Sequence, residues 1–316
     1  MIDSNKLSCN PWHVLNKKPI TADIFLTNFC NNKCQYCVYD RWNLKDEQRY
    51  MNYDDFVKYV QILINLGVKG IILTGGGEPT LNPDFDKITA YLEENKIPYG
   101  INTNFNVLKK IAPKYLKISL DASNADEYTE VRGVDAYDKV IENIKTYRTW
   151  QKENNVKTSL GVQCIARSPQ HVNRFYYSVK NLDIDYIVFR PVESIAGKTY
   201  SSYKRDLNRI YTINNLIGLQ DIDKRVAVNY KFRCVHFKPK ECYANFAQIA
   251  IDEQGNVMYC CHKPYEIVGH ITDVDVLSKK EKYQTDMSKC DIPCRLSGCN
   301  RYLKNMERLS PESMFI

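Results

Sequence analysis

The 316-residue chain contains no stretch of 18 consecutive apolar residues, and its opening Met-Ile-Asp-Ser-Asn-Lys lacks the charged-then-apolar order of a secretory signal. A membrane-spanning helix and an exported precursor are therefore not expected, and the chain reads as cytoplasmic. No run of five like charges occurs, and 44 Lys and Arg against 37 Asp and Glu leave a net charge of only +7, so nucleic acid is not an expected partner. Internal repeats and low-complexity segments are absent too, which excludes a solenoid. The five histidines are scattered singly, at no spacing that makes a metal pair.

Cysteine, in contrast, is plentiful and clustered. Of twelve, three fall at Cys30, Cys34 and Cys37, and seven lie between Cys234 and Cys299. A cytosolic chain keeps its thiols reduced, so clustering of this kind points to metal thiolates rather than disulfides. Cys9 and Cys164 stand apart and read as ordinary thiols.

With 44% apolar residues the chain can bury a large core. Short β-branched and aromatic runs at 22–27, 70–74, 99–103, 116–120, 158–165 and 186–190 alternate with amphipathic stretches at 53–66, 85–96, 137–152 and 169–180. In the first of these, Phe56, Tyr59, Val60, Leu63 and Leu66 fall three and four apart. Six β-then-α units fit residues 20–192 and imply an α/β fold with a parallel sheet and right-handed crossovers. Ligands of such sheets collect at the carboxyl ends of the strands. The cysteine triplet, Gly75–Glu78, Asn102–Asn104 and Ser119–Asp121 all sit there. Residues 193–235 read as a connector with a helix from 204 to 219. Farther on, the alternating run 246–251, a turn at Gly255 and Val257-Met-Tyr read as a β-hairpin, and a short helix is expected at 301–308.

Three thiolates spaced as Cys30, Cys34 and Cys37 can hold three irons of a 4Fe-4S cluster. The fourth iron then lacks a nearby protein ligand, and an open site lets a cluster act on a bound molecule. With Tyr36 before the last cysteine, the segment resembles the radical S-adenosylmethionine (radical SAM) superfamily. The resemblance implies a partial (β/α)6 TIM-type barrel, a 4Fe-4S cluster on Cys30, Cys34 and Cys37, S-adenosylmethionine as cosubstrate, and an external electron donor such as flavodoxin or ferredoxin. By the same resemblance Gly76, Gly77 and Glu78 of Thr-Gly-Gly-Gly-Glu-Pro contact the methionine amino group, with Gly75 leaving the register open by one. Glu78 is expected as a carboxylate at the rim, and Tyr36, Asn104, Ser119 and Asp121 are the softer candidates for the cosubstrate. Arg132 also recurs in relatives, although a solvated or salt-bridged arginine serves equally well there.

Cys242, twelve residues, Gly255, four residues and Cys260 resemble the opening of the SPASM and twitch extensions, which carry auxiliary 4Fe-4S clusters. This implies a second cluster on Cys242, Cys260, Cys290 and Cys294, in a small C-terminal α+β hairpin domain at 236–316. Residues 1–19 would then be an N-terminal extension, 20–192 the barrel and 193–235 the connector. Cys299, Cys261 and Cys234 remain alternative ligands, and the same four thiolates also suit tetrahedral zinc. Such an enzyme would form a 5'-deoxyadenosyl radical and oxidise a small alcohol, sugar or aminocyclitol, with the auxiliary cluster accepting an electron. The alternatives are a peptide maturase, disfavoured by only 29 residues before Cys30, and a non-catalytic iron–sulfur electron carrier.

Overall fold

In the computed structural model of the protein, the described residues are 17–37, 39, 47–191, 207–228, 241–287, 290 and 300. Strand β1 (Thr21–Phe25) leads through the cysteine loop to helix α1 (Tyr53–Asn65), whose spacing buries Phe56, Tyr59, Val60 and Leu63. The side chain of Asn52 caps it by accepting from the Asp55 N–H. There follow β2 (Gly70–Thr74), α2 (Phe85–Glu94), β3 (Tyr99–Thr103), β4 (Tyr115–Ser119), α3 (Ala125–Arg132) and α4 (Tyr137–Glu153). Next come β5 (Ser159–Ala166), α5 (Pro169–Val179), β6 (Tyr186–Pro191), α6 (Leu207–Ile222) and β7 (Val226–Val228). The chain then makes β8 (Gln248–Ile251), β9 (Asn256–Cys260), β10 (Lys263–His270) and α7 (Val276–Lys282).

All ten strands form one sheet in the order β10-β9-β8-β1-β2-β3-β4-β5-β6-β7. Strands β1 to β7 are parallel, and β8 joins them parallel to β1. Among the described strands β9 alone runs against the rest, antiparallel to both its neighbours β8 and β10. The fold is thus α/β, a partial barrel continued at one edge by the C-terminal hairpin.

Strand alternation gives the sheet two faces. Ala22, Ile24, Leu116, Ile118, Ile249 and Ile251 pack into the main core under the helices. The residues between them, including Thr21, Asp23, Lys117, Ser119, Gln248 and Ala250, lie on the opposite, inner face.

The structure differs from the strict β-then-α expectation in three places. No helix separates β3 from β4, where Phe105 turns through φ 62° and Asn106 and Pro113 keep the chain irregular, whereas two helices follow β4. The stretch read as a connector holds α6, the helix expected at 204–219, but it also adds an unexpected strand, β7, to the sheet beside β6. In the C-terminal part, residues 244–247 form a short 3-10 turn before β8, and β10 and α7 had no periodic signal strong enough to name them. The helix expected at 301–308 lies outside the described residues. Among the described residues no helix is long and apolar enough to cross a membrane.

Candidate functional site

The loop after β1 carries Cys30, Cys34 and Cys37, all half-buried. Its backbone is docked at two points on the end of α3, where the Lys33 N–H donates to the Arg132 carbonyl and the Gln35 N–H to that of Val131, both at 2.9 Å. That approach needs Gly133, which closes α3 at φ 70°. A Cβ there would stand 2.6 Å from the Lys33 carbonyl oxygen. Tyr36 lies in the turn just before Cys37, half-buried.

Donors already point at two of the sulfurs. The Asn32 N–H lies 3.4 Å from Cys30 Sγ, and the Arg132 guanidinium donates to Cys34 Sγ at 3.2 Å. Without metal, burial pushes the Cys30 thiol up to about 12, with Glu78 and the other two cysteines adding to the rise. A bound cation reverses that bias by stabilising thiolate.

The glycine-rich turn after β2 meets the same loop from the other side. The Gly77 N–H donates to the Thr27 carbonyl at 2.9 Å and the Glu78 N–H to that of Phe29 at 2.8 Å. A Cβ on Gly77 would fall inside the Phe29 backbone, while one on Gly76 meets nothing closer than 3.6 Å. Glu78 is not at the rim. It is 3% exposed, and its carboxylate accepts from Thr80 N–H and hydroxyl, the Thr103 hydroxyl and the Asn104 N–H. Burial pushes its carboxyl up, against the pull of those four bonds. The side chain therefore fixes the ends of β2 and β3 beneath the loop.

Asn104 is likewise turned inward. Its amide donates to Asn31 at 2.7 Å and Asn32 at 3.2 Å, and Asn106 donates to Asn32 at 2.7 Å. Of these, Asn31, Asn32 and Asn106 were not singled out from sequence. Their signal was the Asn-Asn pair inside the cysteine motif, a residue type that ties irregular backbone together.

Asp121, at φ 58°, accepts the Ile165 N–H at 2.7 Å and pairs with Arg132 at 2.9 Å, both side chains nearly sealed from solvent. Arg132 also donates to the Ser119 carbonyl. Arg132 is thus salt-bridged and, through the same guanidinium, faces Cys34. Ser119 is half-buried on the inner face, one strand from Gln163.

The family model described as the radical SAM superfamily matches residues 24–161, the span holding the three thiols, the glycine turn, Asn104, Ser119, Asp121 and Arg132. The chain carries a radical SAM domain. The GTP 3',8-cyclase of Clostridium acetobutylicum is 25% identical over 285 residues, covering 82% of this chain and 87% of the cyclase. Among solved structures, Streptococcus suis SuiB bound to precursor peptide SuiA matches 94% of this chain and 74% of its own at TM-score 0.64 and 17% identity. In its complex with S-adenosylmethionine only 61% of SuiB is matched. Native anSMEcpe with bound AdoMet matches 86% of this chain and 83% of its own, at TM-score 0.63 and 18% identity. At these identities the structures establish the shared fold. A radical SAM domain implies S-adenosylmethionine and a 4Fe-4S cluster. Among the described residues no three Cys, His, Asp or Glu converge on a single ion. A cubane, however, takes each thiolate on a different iron, and three half-buried thiols on one loop with N–H donors aimed at sulfur suit it.

Away from the radical SAM domain, Cys242, Cys260 and Cys290 are half-buried and gather around Tyr259, whose hydroxyl burial pushes up, with the three thiols adding to the rise. The His262 N–H lies 3.4 Å from Cys260 Sγ. Cys261 is buried and packs with Phe25, Ala250 and Met258. Cys294, Cys299 and Cys234 lie outside the described residues. Two buried lysines, neither anticipated, stand near this group. Lys263 pairs with Glu266 at 3.1 Å, whereas Lys280 donates to the Gln248 carbonyl at 3.1 Å, and burial pushes it down to about 8.

Proposed function

We propose that this radical SAM superfamily enzyme reductively cleaves S-adenosylmethionine and uses the 5'-deoxyadenosyl radical to take a hydrogen atom from a small polar molecule, which is oxidised. The observation that carries the reading is the junction of the thiol loop with the glycine turn. Two backbone bonds hold Gly77 and Glu78 against Thr27 and Phe29, so that the thiol loop and a bare glycine backbone stand side by side at the strand ends.

In this reading Cys30, Cys34 and Cys37 hold a 4Fe-4S cluster, which when bound supplies the electron that breaks the sulfonium C–S bond to give methionine and the radical. Gly76 leaves its backbone open to the methionine moiety, and Glu78 and Asn104 hold that backbone from below. Ser119 on the inner face and Tyr36 flank the remainder of the cosubstrate. Asp121 acts by fixing Arg132. Hydrogen abstraction followed by loss of one electron and one proton makes a two-electron oxidation. Cys242, Cys260, Cys290 and Cys294 would hold a second 4Fe-4S cluster, and such a cluster would supply an electron acceptor.

A peptide substrate is the second reading, favoured by the match of 94% of this chain to SuiB in complex with a precursor peptide. A nucleotide is the kind of molecule named for the cyclase relatives, and it belongs to the same polar class as the first reading.

The test is anaerobic reconstitution followed by dithionite reduction, with 5'-deoxyadenosine and methionine quantified together. The wild type should release both in equal amounts, and Cys34→Ala neither. Continued 5'-deoxyadenosine formation by a folded Cys34→Ala variant would sink the assignment.

A further inference from the structure

We propose that the Lys280 ammonium is the built-in counter-charge of a thiolate metal centre on Cys242, Cys260 and Cys290, and that it holds the reduction potential of that centre up. This inference rests on the auxiliary-cluster reading given above. Lys280 is 2% exposed, yet among the described residues no carboxylate lies within ion-pair distance of it. Its neighbours in sequence and space are treated differently: Lys279 pairs with Asp273 and Asp275, and Lys263 with Glu266. A buried ammonium with only a carbonyl acceptor is unfavourable unless an anion stands near.

The anion is supplied by the surrounding sulfurs. Strand β8 runs antiparallel to β9 with Ala250 opposite Met258, so two residues further along each strand Gln248 lies across from Cys260. Helix α7 reaches over this end of the hairpin and places Lys280 Nζ on the Gln248 carbonyl. The groups that act most strongly on its charge, after burial, are Cys260, Cys261 and Cys242, with Asp23 behind them. Thiolates bound to iron balance that charge. An added electron makes a thiolate cluster more negative, so a nearby buried cation stabilises the reduced form more than the oxidised one.

The experiment uses the Cys30/Cys34/Cys37→Ala background, in which only the second centre can titrate, and compares Lys280 with Lys280→Met, Lys280→Gln and Lys280→Arg. Iron and sulfide are counted after anaerobic reconstitution, and the midpoint is followed by dithionite titration. Met and Gln should move the midpoint to more negative potential, or lose iron, while Arg keeps both at the parent values. The Gln variant can still donate to the Gln248 carbonyl, which covers the case in which Met fails to fold. Met or Gln variants that hold iron with the parent midpoint would overturn the inference, as would an Arg variant that behaves like them. Metal-free Lys280→Met should melt no lower than its parent; a lower melting temperature with an unchanged midpoint would identify a purely structural lysine. A parent protein holding zinc or no iron defeats the auxiliary-cluster reading itself, and does so before Lys280 is touched.

Discussion

The two thiol groups are built in opposite ways. Cys30, Cys34 and Cys37 occupy eight consecutive residues, and the fold has only to clamp that loop between the end of α3 and the turn after β2. Cys242, Cys260 and Cys290 come from three separate segments, brought around Tyr259 by a hairpin and by side chains that stitch remote backbone together. A local group can be placed by a few backbone bonds. A dispersed one depends on the packing of everything between its parts, and the counter-charge proposed for it is the buried Lys280 rather than a paired guanidinium.

The sharpest way to break the first group without touching a thiol is Gly77→Ala. The new methyl would occupy space held by the Phe29 backbone, so both bonds that join the glycine turn to the thiol loop must stretch. Displacement of about 1 Å at a reacting centre costs roughly a hundredfold in rate. Cleavage of S-adenosylmethionine should fall by about that factor, while iron in the second group stays at the wild-type level. Gly76→Ala, whose methyl finds ordinary contact distance, should leave the melting temperature unchanged, and an equal loss of stability in both variants would show that the clash is absorbed elsewhere.

How much of this was legible in the sequence follows the same division. The six parallel strands and most helices were readable because their apolar spacing is strong, and the thiol loop because its residues are neighbours. The burial of Glu78 was not readable. A carboxylate after three glycines looks exposed until Thr80, Thr103 and Asn104 are seen converging on it. Nor was β7, three residues long, or the pairing of β8 with β1, which joins residues more than 220 positions apart and leaves no periodic trace. Lys280 lies in the Lys-Lys-Glu-Lys run of α7, where a solvated helix face is the natural reading, and only the fold separates it from Lys279.

Arg132→Met tests whether the clamp on the first group is electrostatic. Removing the guanidinium leaves the Asp121 carboxylate buried without its cation, a loss of about 3–5 kcal/mol for a buried pair broken on one side. It also takes the donor from Cys34 Sγ. Chemical denaturation should show that loss, and the double variant Arg132→Met/Asp121→Asn should recover much of it. Cleavage should remain impaired in the double variant, because the donor to Cys34 is still missing. Full recovery of cleavage along with stability would reduce Arg132 to a structural partner of Asp121.

The smallest effect is expected at Asn300, the residue that ties the second group together. It is 2% exposed; its side-chain oxygen accepts from the Tyr243 N–H at 2.6 Å and the Ala244 N–H at 3.1 Å, and its amide donates to the Glu241 carbonyl at 3.2 Å. Those bonds bracket Cys242, so Asn300 sets where the first thiol of the dispersed group stands. Asn300→Ala strands two backbone donors, at a cost of about 1–3 kcal/mol. The variant should lose iron selectively from the second group while still cleaving S-adenosylmethionine, since nothing in the clamp around Cys34 touches this segment. A variant that loses cleavage as readily as second-group iron would mean that the two groups are not independent, and that the continuity of the sheet from β9 through β8 to β1 carries strain from one to the other.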